Sequence, residues 1–187
     1  MKRTNKKSNI AFWGCRISLS LSLVILFLLL FLRIIGVYVQ FGTPPPWIGH
    51  HLIGFLLIVN VVITMFFMVK DSLVRTIVVV AGIFFILTSF FPVRMELLPT
   101  EYTTFNSPID TSKYLAAESG SGKLYKLSES GLYMTLVTTF STDGMFHPLA
   151  EGAYKIEKTS SKEFILHYAF NRENPDGMYR EITVQVE

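Results

Sequence analysis

The chain has a single cysteine, Cys15, so no intramolecular disulfide can support any part of it. Cys15 does not read as a lipidated cysteine either. A lipoprotein signal needs its apolar region upstream of the cysteine, and here a polar, basic tail stands upstream and the apolar residues follow. Charge is almost missing from one long stretch: between Ile17 and Phe91 the only charged side chains are Arg33, Lys70, Asp71 and Arg75. A soluble domain interleaves apolar residues with charge, whereas long runs without it read as membrane spans. The formal net charge of +3 gives no argument for nucleic acid, because it hides a split. Met1–Phe91 carries eight Lys or Arg and one acid (+7), and Pro92–Glu187 carries nine Lys or Arg and thirteen acids (−4).

Local catalytic and metal-binding signatures are lacking as well. No G-x-S-x-G and no HExxH occurs, and His147 and His167 stand twenty residues apart with no cysteine near them. "SGSGKL" resembles a phosphate loop, but Leu124 occupies the place where Ser or Thr is required, so a hairpin turn is the expectation. "TDG" and "NPDG" each offer one acid, and a calcium loop needs several oxygen ligands at set spacing. No catalytic residue, cofactor, cofactor-binding residue or metal ligand is therefore assigned. A triad assembled from distant Ser, His and Asp leaves no local signature and stays open.

What is present predicts an α+β membrane protein. A basic tail covers residues 1–16, three transmembrane helices lie at about 17–41, 48–69 and 73–91, a linker covers 92–101, and a small all-β antiparallel domain covers 102–187. A helix rises about 1.5 Å per residue, so roughly 20 residues cross a ~30 Å hydrocarbon layer, and each run reaches that length. The first run is too long for the apolar core of a cleaved signal peptide and no small-x-small site follows it, which favours an anchor. Lysine and arginine set the orientation. Lys2, Arg3, Lys6, Lys7 and Arg16 precede the first span, "GTPPPW" after it is uncharged, and "KDSLVR" after the second is basic. The expected topology has the N-terminus inside and the β domain outside. Asp71 or Ser72 is placed to cap the third helix, and Tyr38 and Trp47 to sit in an interfacial aromatic belt.

Two polar residues in the spans are the candidate membrane-interaction residues. Arg16 and Arg33 bracket the uncharged run Ile17–Leu32, about 24 Å long as a helix. Arg33 reads as an anchor at the outer rim, its guanidinium among headgroups, with "IIGVYVQF" continuing the helix. The sharper reading makes it an intramembrane cation for an anionic partner. Asn60 lies mid-span, placed to hydrogen-bond another helix; a transport lining is the sharper reading. His50 and His51 read as interfacial histidines, since adjacent helical residues point about 100° apart and make no natural chelating pair.

Beyond Phe91 the pattern changes. "GAYKIEK" and "REITVQVE" alternate apolar and polar residues, and "KYLAA", "GKLYKL", "LYMTLVTTF" and "EFILHYAF" do so less cleanly, between the breaks "ESGSG", "SESG", "TDG", "TSSK" and "NPDG". About six strands are expected, as a sheet, sandwich or open barrel.

The segment from Phe105 to Lys158 resembles the outer domains of small membrane proteins of Gram-positive bacteria, a group with no assigned activity. The resemblance is carried by Ser107-Pro108, a strand-turn-strand, Thr142-Asp143-Gly144, Pro148 and the strand led by Tyr154. The tryptophan expected soon after that strand is missing, and Lys158 or a neighbour stands there. The resemblance implies the plasma membrane of a bacterium and a C-terminal domain outside. The expected function is that of a membrane-anchored extracytoplasmic interaction or accessory protein. Its expected partners are the lipid bilayer and a membrane or envelope protein, with no nucleic acid. The alternatives are a subunit or modulator of a transporter and, behind it, an envelope enzyme.

Overall fold

The computed structural model describes residues 3–42, 48–96, 100–119, 121–143, 146–172 and 179–186. In chain order the elements are α1 (Arg3–Ile34), β1 (Val37–Phe41), β2 (Ile48–Gly49), α2 (His50–Met68), α3 (Ser72–Glu96), β3 (Glu101–Asn106), β4 (Lys113–Ser119), β5 (Ser121–Leu127), β6 (Tyr133–Ser141), β7 (Tyr154–Lys158), β8 (Glu163–Ala169) and β9 (Tyr179–Gln185). They form two units. One is helical (Met1–Ile35 and Ile48–Glu96); the other is built of strands (Gly36–Trp47 and Leu97–Glu187).

In the helical unit α2 packs against both α1 and α3. Phe12–Ile34, His50–Met68 and Ser72–Arg94 are each long and apolar enough to cross a membrane, with mean hydropathies of 2.6, 2.3 and 2.4. Phe27, Ile34 and Phe67 are more than 70% exposed (74%, 75% and 71%). Side chains of this size left bare in water would cost the fold, whereas in hydrocarbon each is favourable by about 0.3–0.6 kcal/mol. The turn between α2 and α3 is closed by its polar residues. Asp71 Oδ1 accepts the Val74 N–H at 2.9 Å, as an N-cap does. Arg75 donates through Nε and Nη2 to the Val69 carbonyl at 3.2 and 2.9 Å, satisfying one of the orphaned carbonyls at the end of α2. Between α2 and α3 the Val62 side chain packs directly onto Gly82, where an added Cβ would lie 2.5 Å from Val62 Cγ1.

Two expected boundaries move. The first helix ends at Ile34 and does not reach Phe41: Gly36, at φ +77°, stops it, and "VYVQF" becomes β1. Tyr38 consequently sits in a sheet, its ring 5.7 Å from that of Tyr125. The third helix continues through Pro92 to Glu96, residues expected to be linker. Proline is tolerated in apolar helices when hydroxyls and neighbouring helices take up the freed backbone groups. The Thr88 and Ser89 hydroxyls, just before Pro92, donate to the Phe84 and Ile86 carbonyls and not to the Thr88 carbonyl that Pro92 leaves without its helical N–H. Trp47, Gly144 and the "NPDG" turn lie outside the described residues.

The strand unit is a sandwich of two antiparallel sheets. One has the order β1-β6-β5-β4-β3, the other β7-β8-β9. All six expected strands form, and β1 and β3 join them. The shared core takes Phe105, Tyr114, Leu124 and Phe140 from the larger sheet and Phe164, Leu166, Tyr168 and Val184 from the smaller. On the other face of the larger sheet Leu115, Tyr125 and Met134 are buried in a second cluster. β4 is thus covered on both faces, which explains why "YLAA" does not alternate. "SGSGKL" is a β4–β5 hairpin, with Ser119 opposite Ser121 and Lys123 and Leu124 inside β5.

β1 pairs antiparallel with β6, nearly a hundred residues later in the chain. Gln40 N donates to Leu132 O and Leu136 N to Gly36 O, both at 2.9 Å, so Val39 and Tyr133 form a non-hydrogen-bonded pair between them. Such pairs bring Cα atoms to about 4.5 Å, within disulfide range. In a Cys15→Ser background, Val39→Cys with Tyr133→Cys is expected to cross-link quantitatively under mild oxidation, and Val39→Cys with Thr139→Cys is not. Non-reducing electrophoresis after proteolysis between the two positions reads the difference.

Candidate functional site

The strand unit carries a cleft of about 830 Å³ between the start of β5, the end of β6 and the start of β9. Hydroxyl side chains line it, from Ser121, Thr138, Thr139, Ser141, Tyr168 and Thr183, with Phe140 and Ile182 among them, and Glu181, whose carboxylate lies 3.3 Å from His167, also borders it. Its one cation is Arg180 at the start of β9. The guanidinium is held from several sides. Its carbon lies 3.8 Å from the centre of the Phe170 ring, Nη1 donates to Ser141 Oγ at 2.8 Å, and the side chain bonds the Tyr168 hydroxyl. Tyr168 in turn donates to the Ser141 carbonyl at 3.3 Å. Burial raises the Tyr168 phenol above its ordinary value, so it is a neutral donor at physiological pH. Among the described residues no carboxylate lies within ion-pair distance of Arg180. Among the described residues the arrangement is a fixed cation with spare donors in a groove of hydroxyls, the neighbouring Glu181 carboxylate being turned to His167, which suits a carboxylate or phosphate.

A second polar constellation is structural. Glu118 in β4 is 2% exposed, and its carboxylate accepts the N–H groups of Leu149 and Ala150 at 3.3 and 2.9 Å. It thereby caps the single helical turn that places the buried Leu149 in the core. His147, beside that turn, interacts electrostatically with Glu118, and Glu101 stands opposite it across the β3–β4 ladder. Burial raises the Glu118 carboxyl above its ordinary 4.5, and the two backbone N–H groups and His147 only partly offset this. A raised folded-state value means that the folded protein holds the proton more tightly. The stability contributed is full below about pH 4.5 and is lost as pH rises through the raised value. Relative to Glu118→Gln, the parent is therefore expected to gain stability as pH falls from 7 toward 4.5, measured by hydrogen exchange of the β4 and β8 amides. A difference that does not change with pH would contradict this reading.

Asn60 is used within the fold. Its Nδ2 donates to Ser18 Oγ at 3.1 Å and Ser22 Oγ at 2.8 Å, tying α2 to α1 by the interhelical bond expected of it. Arg33 stands exposed in the last turn of α1, and its charge reaches His50. His50 is buried and hydrogen-bonded to the Leu29 carbonyl of α1, so it is a packed residue at the start of α2. His167 lies on β8 between two exposed acids, Glu157 at 3.5 Å and Glu181 at 3.3 Å. Arg33 and Asn60 belong to the helical unit, and the residues lining the cleft to the strand unit. Sequence reasoning missed Arg180, Tyr168 and Ser141, which come from three strands and carry no common spacing; the only local trace is a lone basic residue at the head of an alternating strand.

No known protein family, curated protein or solved structure matches this chain.

Proposed function

We propose that the chain is a membrane-anchored interaction protein of a bacterial envelope, with three helices in the plasma membrane and the β sandwich outside as the binding domain. The observation that carries this is β1. The segment between α1 and α2 belongs to the same unit as the strands that follow α3. A sheet cannot be hydrogen-bonded across a bilayer, so both segments must share one side, and that requires α2 and α3 to cross as a pair. The lysines and arginines of the tail favour that side being the exterior. The cleft at Arg180 is the binding site in this reading. The bacterial location rests on the resemblance of the outer domain.

The test is photo-cross-linking in cells from a benzoylphenylalanine placed at Thr139 in the full-length chain. A discrete adduct with one envelope protein, absent when the probe sits at Lys162 on the loop between β7 and β8, is expected. Adducts only from probes on α3, at Val80 or Phe84, would favour the alternative of a transporter subunit instead. Asn60 gives that alternative little support, because its amide is already engaged by Ser18 and Ser22.

A further inference from the structure

β1 covers only part of the outer edge of β6. Its ladder runs from the Gly36–Leu136 bond to the Gln40–Leu132 bond and stops there. Beyond Leu136, β6 continues for five residues to Ser141, paired with β5 on one side. Among the described residues no strand pairs with Val137–Ser141 on the other side. A bulge at Val137, where Leu124 faces Thr138 and Tyr125 faces Leu136, bends the strand where β1 leaves it. Across the cleft β9 is the terminal strand of its own sheet. The cleft is therefore bounded by two strand edges, each with backbone N–H and C=O groups to offer, apart from the Ser141 carbonyl, which the Tyr168 hydroxyl already holds. Arg180 stands between them, fixed by Phe170, Tyr168 and Ser141.

We propose that an extended peptide segment bearing a carboxylate adds to β6 along Val137–Ser141, end to end with β1, with its carboxylate on Arg180. This rests on the interaction reading above and names the partner's chemistry. β1 already demonstrates that this edge of β6 accepts a strand from a distant segment. About five residues at ~3.4 Å each fill the free length. The ladder supplies affinity that does not depend on sequence, and the guanidinium selects the acid through charge-assisted bonds. An anionic glycan would use Arg180 and the hydroxyls but gain nothing from the backbone edge, so the edge favours the peptide.

The test uses the full-length chain in lipid nanodiscs and four probes: acetyl-Thr-Val-Glu-Val-Thr-amide, its Gln counterpart, the Glu peptide N-methylated at both valines, and a hyaluronan hexasaccharide. Isotope-edited NMR follows Val137, Thr139 and Ile182. The Glu peptide is expected to bind saturably, the Gln peptide about tenfold more weakly, and the N-methylated peptide not at all, since it has lost ladder donors. Arg180→Gln should bind the Glu and Gln peptides equally, and Arg180→Lys should restore part of the preference. Unchanged hydrogen exchange in β8 shows that these variants remain folded. Equal binding of the N-methylated peptide, a Glu/Gln preference that survives Arg180→Gln, or binding of the hexasaccharide alone would overturn the proposal. If no peptide binds while Thr139 still cross-links an envelope protein, the strand-addition inference fails and the interaction reading stands.

Discussion

Replacing Phe164 by alanine is expected to remove about 3–5 kcal/mol from the β sandwich, the range for emptying a fully buried aromatic site. Phe164 is 0% exposed and meets the Tyr114 ring edge-on, with centroids 5.3 Å apart. It comes from β8, the middle strand of the smaller sheet, and Tyr114 comes from β4 of the larger, so the contact joins the two layers. Tyr114 is itself completely buried and stacked on Phe105, which leaves the surroundings little freedom to collapse into the space. Domains of this size hold about 5–15 kcal/mol in total, so the loss is a large share of what there is. The slowest-exchanging amides of β4 and β8 should exchange faster by roughly two to three and a half orders of magnitude. Phe164→Leu, which keeps most of the volume, should cost less than about 1.5 kcal/mol. Equal effects of the two substitutions would mean that the site is not a packed core position.

Adding one methyl group at Gly122 is the second large effect. Gly122 lies in β5 directly opposite Phe140, whose ring folds over it. An added Cβ would stand 2.1 Å from Phe140 Cζ and 2.2 Å from Cε2, far inside contact distance. The ring cannot swing away freely, because it is 6% exposed and its centroid lies 5.1 Å from that of Tyr168. Alanine would gain about 0.4–1 kcal/mol by restricting the unfolded chain, but overpacking costs about 1–3 kcal/mol, so the balance is destabilising. The backbone is not the reason, since Gly122 does not have a positive φ. The partner decides the outcome. Gly122→Ala should be relieved in large part by Phe140→Leu, giving a clear coupling in a double-mutant cycle. Additive effects would show that the ring and the glycine are not in contact. Because Phe140 and Tyr168 also line the cleft, Gly122→Ala should weaken any ligand there as well.

The helices were legible in the sequence because hydropathy is a local property and the runs are long. The strands β7 and β9 were legible from period-two alternation, since each has one face on the core. β1 was hidden by its position. "VYVQF" follows an apolar helix with no change in hydropathy, and its pairing partner lies almost a hundred residues away. "EYTTFN" was concealed differently: it follows prolines and threonines that suggest a linker, although it pairs along its whole length with β4. Pro92 marks a boundary in water, but an apolar helix continues past it. Asn60 was readable as an interhelical donor, while its acceptors, two serines on α1, were not. The cleft could not be read at all, because it depends on where a ladder stops and on which strand ends meet.

The central claim is that the helices thread the membrane so that the basic tail and the β sandwich lie on opposite sides. In a Cys15→Ser background, single cysteines at Ser130 or Ser160 in the sandwich and at Ser8 in the tail can be probed on intact cells with a membrane-impermeant maleimide. Labelling at Ser130→Cys and Ser160→Cys without permeabilisation, and at Ser8→Cys only after it, is the predicted result. The reverse pattern, or labelling of all three from the same side, would contradict it.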